Sequence, residues 1–375
     1  MVKIKIGVVG GGHIVKHRHL PIYRKIKEVE VAAVCDKEEA IAKGVADQFQ
    51  VRSYYTDLSK MLAKEKLDVV DICTPPKTHV ALALQAMDAG CHVLVEKPLA
   101  MNVDEVDRMF SHSGQKHVKL CVVHQNLFNP VVRKAKALVE SGAVGDLISV
   151  EVAALVRRDN YMCLNRKHWC HTLPGGLNFE VLPHPVYLLQ SFLADPEPVC
   201  LVAKKISDSD WMKAEEIRVL MEAKKGMGLI VSSCNSPYHG DQLNILGTRL
   251  GLQIDLWGRT VIKNKVRTEE PLSVGRNNLY MASQFLKPLA ANLINVWKMA
   301  SSGVKVSAHY DFIMEFVRSI MEDRDPPVTP SETRKNVEIV EKICSMIDDY
   351  VSEEGLQTAE TAQKYQAHKQ TARSD

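Results

Sequence analysis

The most constraining feature of the chain is at its start, where the alternating run Lys3 to Val9 passes directly into Gly10-Gly11-Gly12-His13-Ile14-Val15 and a helical pattern. A strand that ends in glycines and restarts as a helix needs a tight turn of bare backbone. It aims the helix's unpaired N–H groups and positive dipole end at whatever lies in front. That arrangement holds a pyrophosphate. Gly10 is expected to make the turn, Gly12 to let the phosphate approach, and His13 and Ile14 to border it. Val15 takes the place of the third glycine of the G-x-G-x-x-G pattern and must widen the helix–strand contact. Alone, such a turn is an ordinary βα connection. Asp36, at the end of the second strand and roughly 20 residues on, adds a carboxylate able to accept both ribose hydroxyls of an adenosine. The same charge opposes a 2′-phosphate, so NAD is expected over NADP, although Lys37 argues the other way.

The first third continues this alternation, with β-rich runs at Val29 to Cys35, Val69 to Cys73, Val93 to Val95 and Leu120 to Val123 separated by Ala-, Lys- and Glu-rich helical segments. The pattern specifies βαβ units around a parallel sheet, and runs as apolar as VVDIC read as interior strands. Beyond Pro130 to Ser141, a helix stopped by Gly142, strands follow at short spacing: Leu147 to Val156, Glu216 to Glu222, Gly228 to Ser233, Leu243 to Leu246 and Leu252 to Trp257. Gly247 and Gly251 punctuate them as antiparallel turns would. Helices are expected at His309 to Glu322 and Glu332 to Tyr350. The expected architecture is an α/β Rossmann dinucleotide-binding domain over 1–123, then an α+β domain with an open, mostly antiparallel mixed sheet over 124–351, then a polar tail, 352–375, prone to fraying.

A chain of 375 residues with 46% hydrophobic residues and 25% charged residues is an average globular composition with room for two cores. A net charge of +3, without blocks of like charge, argues against nucleic acid and membrane partners. The nine cysteines form no CxxC pair and mostly interrupt apolar runs, so they read as buried reduced thiols. No signal-peptide pattern opens the chain, and a cytoplasmic location is expected.

Three further segments narrow the reading: Thr74-Pro75-Pro76-Lys77-Thr78-His79, the run Gly90-Cys91-His92-Val93-Leu94-Val95-Glu96-Lys97-Pro98, and Gly175-Gly176 followed by Glu180 and His184. With the opening glycines, Gly142-Ala143-Val144-Gly145 and Pro326-Pro327-Val328-Thr329, they resemble the glucose-fructose oxidoreductase and inositol dehydrogenase family (Gfo/Idh/MocA) along nearly the whole chain. The resemblance implies an NAD(P)-dependent oxidoreductase that exchanges a hydride with a secondary hydroxyl or ketone of a sugar, cyclitol or sugar derivative. It implies a homodimer or homotetramer built through the second domain. It puts Thr74, Pro75, His79 and Glu96 at the cofactor, Lys97 against both cofactor and substrate, and His184 as the catalytic histidine. Glu180 stands where the family usually has aspartate, and Tyr187 where many members have a second one. The family also contains glycosidases that oxidise transiently with tightly held NAD, and a cofactor-binding partner protein with a drifted site is a further alternative.

The residues admit this chemistry. Oxidising an alcohol needs a base for the hydroxyl proton, and His184 lies between Pro183 and Pro185, which are tolerated only in a helix's first turn. The positive helix end would keep the imidazole neutral and ready to accept a proton. Glu180 would bind substrate or orient the ring. Lys97, after an interior strand, would donate to the reacting oxygen. Arg157, Arg158, Arg166, Lys167, His168 and His171 crowd the approach to Gly175 and suit either an anionic substrate or a solvated loop. His13, His17 and His19 are expected on the helix surface or at a phosphate, and no metal is expected. Apolar residues recur at helical spacing over Asn278 to Ala300, including Phe285 and Trp297, either as a core-facing helix or as a cover for the cleft or an interface.

Overall fold

A computed structural model describes residues 3–265, 272, 274–286 and 308–371. The first sheet comprises β1 (Ile4–Val9), β2 (Val29–Cys35), β3 (Ser53–Tyr55), β4 (Val69–Ile72), β5 (His92–Val95) and β6 (Leu120–Val122), in the order β3-β2-β1-β4-β5-β6. All its pairings are parallel. Strand order reverses direction between β1 and β4, which opens a crevice at their carboxyl ends, where such sheets bind ligands. β4 is buried throughout, as a strand covered by helices on both faces must be. Val15 is fully buried, and the helix it begins opens with a widened π-turn over Val15–His19, consistent with the bulk that replaces the third glycine.

The second sheet comprises β7 (Leu147–Arg157), β8 (Glu197–Lys204), β9 (Glu216–Glu222), β10 (Met227–Ser236), β11 (Gly240–Gly247), β12 (Gly251–Asp255) and β13 (Thr260–Asn264), in the order β13-β12-β11-β7-β10-β9-β8. Only β7 and β10 pair in parallel, so the sheet is mixed and mostly antiparallel. Burial alternates along β9 and β11, because one face packs on helices and the other lies open. Val152, Ile217, Val219, Ile230 and Leu243 meet Val186 and Leu189 of helix Pro183–Gln190 and Ile343 and Ile347 of helix Pro330–Thr371 in the second core.

Several sequence expectations change. β3 and β8 went unread because three residues and an edge strand with little apolar alternation carry little signal. Helix Ala308–Met321 sends Phe312, Ile313, Phe316 and Val317 into the first core, so a helix that follows the second sheet in the chain packs with the first. Helix Pro330–Thr371 runs on through most of the expected tail. Cys200 is exposed, unlike the other cysteines. In 274–286 the chain is helical, with Leu279, Phe285 and Leu286 exposed, while the remainder of the apolar stretch to Ala300, with Trp297, lies outside the described residues.

Candidate active site

The carboxyl ends of the first sheet and the segment before helix Pro183–Gln190 enclose a cavity of about 740 Å³. Gly10, Gly11, Gly12, His13, Ile14, Asp36, Thr74, Pro75, Glu96 and Lys97 line it from one side, and Tyr161, His168, Trp169 and Glu180 from the other. Gly10 has φ +101°, and a Cβ there would lie 2.7 Å from the carbonyl oxygen of Cys73, so only glycine fits. A Cβ at Gly12 would meet nothing within 4 Å, leaving that backbone bare toward the cavity. Asp36 Oδ2 accepts the Gly11 N–H at 2.7 Å and Oδ1 the Glu38 N–H at 3.0 Å, which fixes the carboxylate beside the glycine turn. Lys37 lines the same wall.

His79 does not reach this cavity. It is fully buried, with Nδ1 3.0 Å from the Pro98 carbonyl oxygen and Nε2 2.7 Å from that of Thr74, so it fastens the Thr74 loop to the segment after Lys97. Its place in the sequence motif is that of a support of the loop that carries Thr74 and Pro75.

Lys97 crosses the cleft. Its Nζ donates to the Glu180 carbonyl oxygen at 3.0 Å and ion-pairs with Glu180 Oε1. Glu180 lies in the short helix Asn178–Val181, whose last residues lead through Leu182 into helix Pro183–Gln190, so Glu180 and His184 sit one turn apart. Burial raises the Glu180 pKa and Lys97 opposes the rise; Glu180 Oε2 is buried without a hydrogen-bond partner. His184 Nδ1 is 2.9 Å from Tyr187 Oη, and burial, then the charge of Lys97, holds the imidazole well below its usual pKa.

A second, smaller cavity of about 160 Å³ adjoins these three side chains. Its wall contains Asn160, His239, Asp241 and Trp257, which the sequence reading missed. Trp257 Nε1 donates to Asp241 Oδ2 at 3.0 Å, and the Trp257 ring stacks on His239 with an 8° interplanar angle. A signal existed for Asp241: it shares the inward parity of Leu243 and Ile245 on β11, where an acid is out of place in a core. The cationic cluster does not enter this cavity. Arg157 pairs with Asp159, and Arg166 Nη2 lies 2.8 Å from Asp210.

Behind the cleft lies a polar network that the sequence reading did not foresee. His19, expected at the helix surface, is fully buried between Asp71 Oδ2, 2.7 Å from Nδ1, and Glu96 Oε1, 2.9 Å from Nε2. Tyr23 Oη donates to Asp71 at 2.9 Å, and the Lys97 backbone N–H donates to Glu96 Oε2 at 3.1 Å. Burial alone would lower the His19 pKa, but Asp71 and its hydrogen bond carry it well above the usual value. Burial likewise pushes Glu96 up, and the His19 hydrogen bond and charge overcome this to hold it at about 2. Ligand-type atoms of His19, Asp71 and Cys73 lie within 4.8 Å of one another, and the 2.7 Å Nδ1–Oδ2 contact among them has hydrogen-bond length.

Two family models match consecutive parts of this chain: residues 4–124 match an oxidoreductase family with an NAD-binding Rossmann fold, and residues 132–253 match the GFO/IDH/MocA C-terminal domain. The chain belongs to the Gfo/Idh/MocA oxidoreductase family. Its first domain is an NAD-binding Rossmann fold. The chain is 25% identical over 289 residues to a myo-inositol 2-dehydrogenase of Thermotoga maritima, covering 74% of this chain and 82% of that one. It is 28% identical over 154 residues to a D-glucoside 3-dehydrogenase of Escherichia coli, covering 41% of this chain and 44% of that one. The fold matches that of the WlbA dehydrogenase from Bordetella pertussis in complex with NADH and UDP-GlcNAcA, with a TM-score of 0.75 at 20% identity over 94% of this chain and 96% of that one. The matched regions span 63%, 44% and 42% of three of the curated relatives. Among the described residues, no helix is long and apolar enough to cross a membrane.

Proposed function

We propose that this protein is an NAD-dependent dehydrogenase that oxidises a secondary hydroxyl of a neutral, polyhydroxylated ring such as a sugar or cyclitol. The observation that carries this reading is the meeting of Lys97, Glu180 and His184 at the junction of the larger cavity with the smaller one. The larger cavity falls in the size range of small-molecule and cofactor sites, and the bare backbone at Gly12 and the anchored Asp36 suit a pyrophosphate and a ribose. Gly10, Gly12, His13 and Ile14 would hold the pyrophosphate, Asp36 the adenosine ribose, and Thr74, Pro75, Glu96 and Lys97 the nicotinamide half. When bound, NAD supplies the hydride acceptor.

The smaller cavity is about as large as the roughly 150 Å³ that holds a benzene ring, so it suits one six-membered ring. Its acceptors include Glu180 and Asp241, which favour hydroxyl donors and repel carboxylate or phosphate. Of the three arginines that sequence position offered to an anionic substrate, Arg157 and Arg166 are paired with neighbouring acids. NADH formation measured across inositols, glucosides and their uronic acid and phosphate counterparts tests this reading. Turnover is expected with neutral rings; turnover confined to the anionic ones would overturn the substrate class, and failure to bind NAD would overturn the function. Net NADH also separates a dehydrogenase from a glycosidase that oxidises transiently. The open face of the second sheet exposes Ile148, Val202, Leu220, Met227 and Leu246, which suits a homodimer or homotetramer formed through that domain.

A further inference from the structure

Tyr187 occupies a position that decides which nitrogen of His184 carries the proton. Its side chain is 3% exposed and its ring stacks on His124 with centroids 4.4 Å apart. Tyr187 Oη accepts the Asn126 backbone N–H at 3.3 Å and lies 2.9 Å from His184 Nδ1. A phenol has one proton to give. If His184 Nδ1 carried hydrogen and donated to Oη, that oxygen would accept twice, and the phenol proton would be buried with no acceptor among the described residues. Buried hydroxyls are not left in that condition when an alternative exists. The alternative satisfies every group: Asn126 N–H donates to Oη, Oη–H donates to Nδ1, and the imidazole proton sits on Nε2. His184 lines the smaller cavity, and Nε2 is its free nitrogen there.

We propose that Tyr187 is a positioning residue that locks His184 in the Nε2–H tautomer, so that His184 donates a hydrogen bond to the reacting oxygen while Glu180 takes the proton. An aspartate in place of Tyr187 would accept from Nδ1–H and leave Nε2 free as a base; the tyrosine reverses the polarity of the imidazole. In the oxidation, the substrate O–H bond breaks and its proton passes to the Glu180 carboxylate, whose Oε2 is buried without a partner. The C–H bond breaks with its electron pair, the hydride leaves to oxidised nicotinamide, and a C=O bond forms. Alcohol becomes ketone, NAD is reduced, and Glu180 is left as a carboxylic acid. Burial keeps His184 out of the imidazolium form that would donate from both nitrogens. The titratable and charged groups facing it are Lys97, Glu96, His309, His124 and Tyr187, with Glu180, His239 and Asp241 on the wall of the same cavity. The proton's destination rests on the dehydrogenase reading; the tautomer rests on hydrogen bonds alone.

The test is a two-bond ¹H–¹⁵N correlation spectrum of the full chain labelled at its histidine nitrogens, with the His184 pattern identified by its loss in His184→Gln. Near neutral pH the expected pattern is a pyrrole-type Nε2 and a pyridine-type Nδ1. A pyridine-type Nε2, or two pyrrole-type nitrogens, would overturn the proposal. Tyr187→Phe removes the donor and should move proton density toward Nδ1; an unchanged pure Nε2–H pattern in that variant would show that Tyr187 is not the lock. Tyr187→Asp should invert the pattern and add a histidine ionisation to the acid limb of the kcat/KM profile. The spectra need no substrate, so absence of turnover on polyols would defeat the dehydrogenase reading and leave this assignment standing.

Discussion

Two histidines of this protein, His19 and His184, lie in neighbouring polar clusters and carry opposite charge preferences. His19 sits between Asp71 and Glu96, and its pKa is raised; His184 faces Lys97 and Tyr187, and its pKa is lowered. Burial pushes both the same way, against the imidazolium, so the partners decide the outcome. The first cluster is a compensated ion network that holds Glu96, and through it the Lys97 backbone, at the end of β5. The second leaves a carboxylate oxygen and an imidazole nitrogen unspent beside a cavity. Spent hydrogen bonds mark the support, and unspent ones mark the chemistry.

The comparison breaks most sharply at the residue joining the clusters. Lys97→Ala is expected to lower kcat by about 10²–10⁴-fold, the usual worth of a positioned proton-handling group, while NAD affinity from calorimetry stays within a few-fold. Near-normal turnover would remove Lys97 from the reaction.

In the supporting cluster, His19→Leu leaves Asp71 and Glu96 buried without their cation, and breaking such a buried pair costs about 3–5 kcal/mol. Urea denaturation should register this as a large drop in midpoint, and a loss below about 1 kcal/mol would show that the network does not hold the fold.

The clusters also predict opposite pH limbs. Folded His19 holds a proton that the unfolded chain releases above the usual histidine value of 6.5, so its stabilisation is complete below that pH and is lost as pH rises through its raised folded value. Buried neutral His124, held at about 3 by burial, does the reverse: below 6.5 the unfolded chain gains a proton that the folded one refuses, and stability falls with pH. Tm against pH should therefore decline on both sides, and His124→Phe, which keeps a ring against Tyr187, should flatten only the acid side. An unchanged acid limb in that variant would contradict the assignment.

A smaller effect is expected at the cofactor's far end. Asp36→Ser should narrow the preference for NAD over NADP without abolishing binding, because it removes the charge that opposes a 2′-phosphate while the bare backbone of the glycine turn remains; only Oδ2 touches that turn, at Gly11, and Oδ1 accepts from Glu38. Tighter NADP than NAD binding by the unmodified protein would overturn the role of Asp36.

How far the molecule could be read from its sequence follows the range of the interactions. Gly10, Asp36 and the alternation of β1, β2 and β4 are local patterns whose physical demands lie within a few residues, and they were legible. His184 at a helix start was legible from the flanking prolines. His19 was not, because its partners are 52 and 77 residues away, and a histidine on the first helix gives no local sign that it turns inward. Asp241 carried a local sign in its inward parity on β11, but its pairing with Trp257 forms only when β11 and the turn after β12 come together. Helix Ala308–Met321 was placed correctly as a helix, but its return to the first core depends on contacts with residues hundreds of positions earlier.

The most direct test of the central claim is the fate of the substrate's carbon-bound hydrogen. With a neutral polyol deuterated at its secondary carbinol carbons and unlabelled NAD, mass spectrometry of the recovered cofactor should find deuterium in the NADH, and Glu180→Gln should slow its appearance while the protein still binds NAD. NADH that carries only protium, or deuterium transfer undiminished in Glu180→Gln, would contradict hydride transfer at the Lys97–Glu180–His184 site.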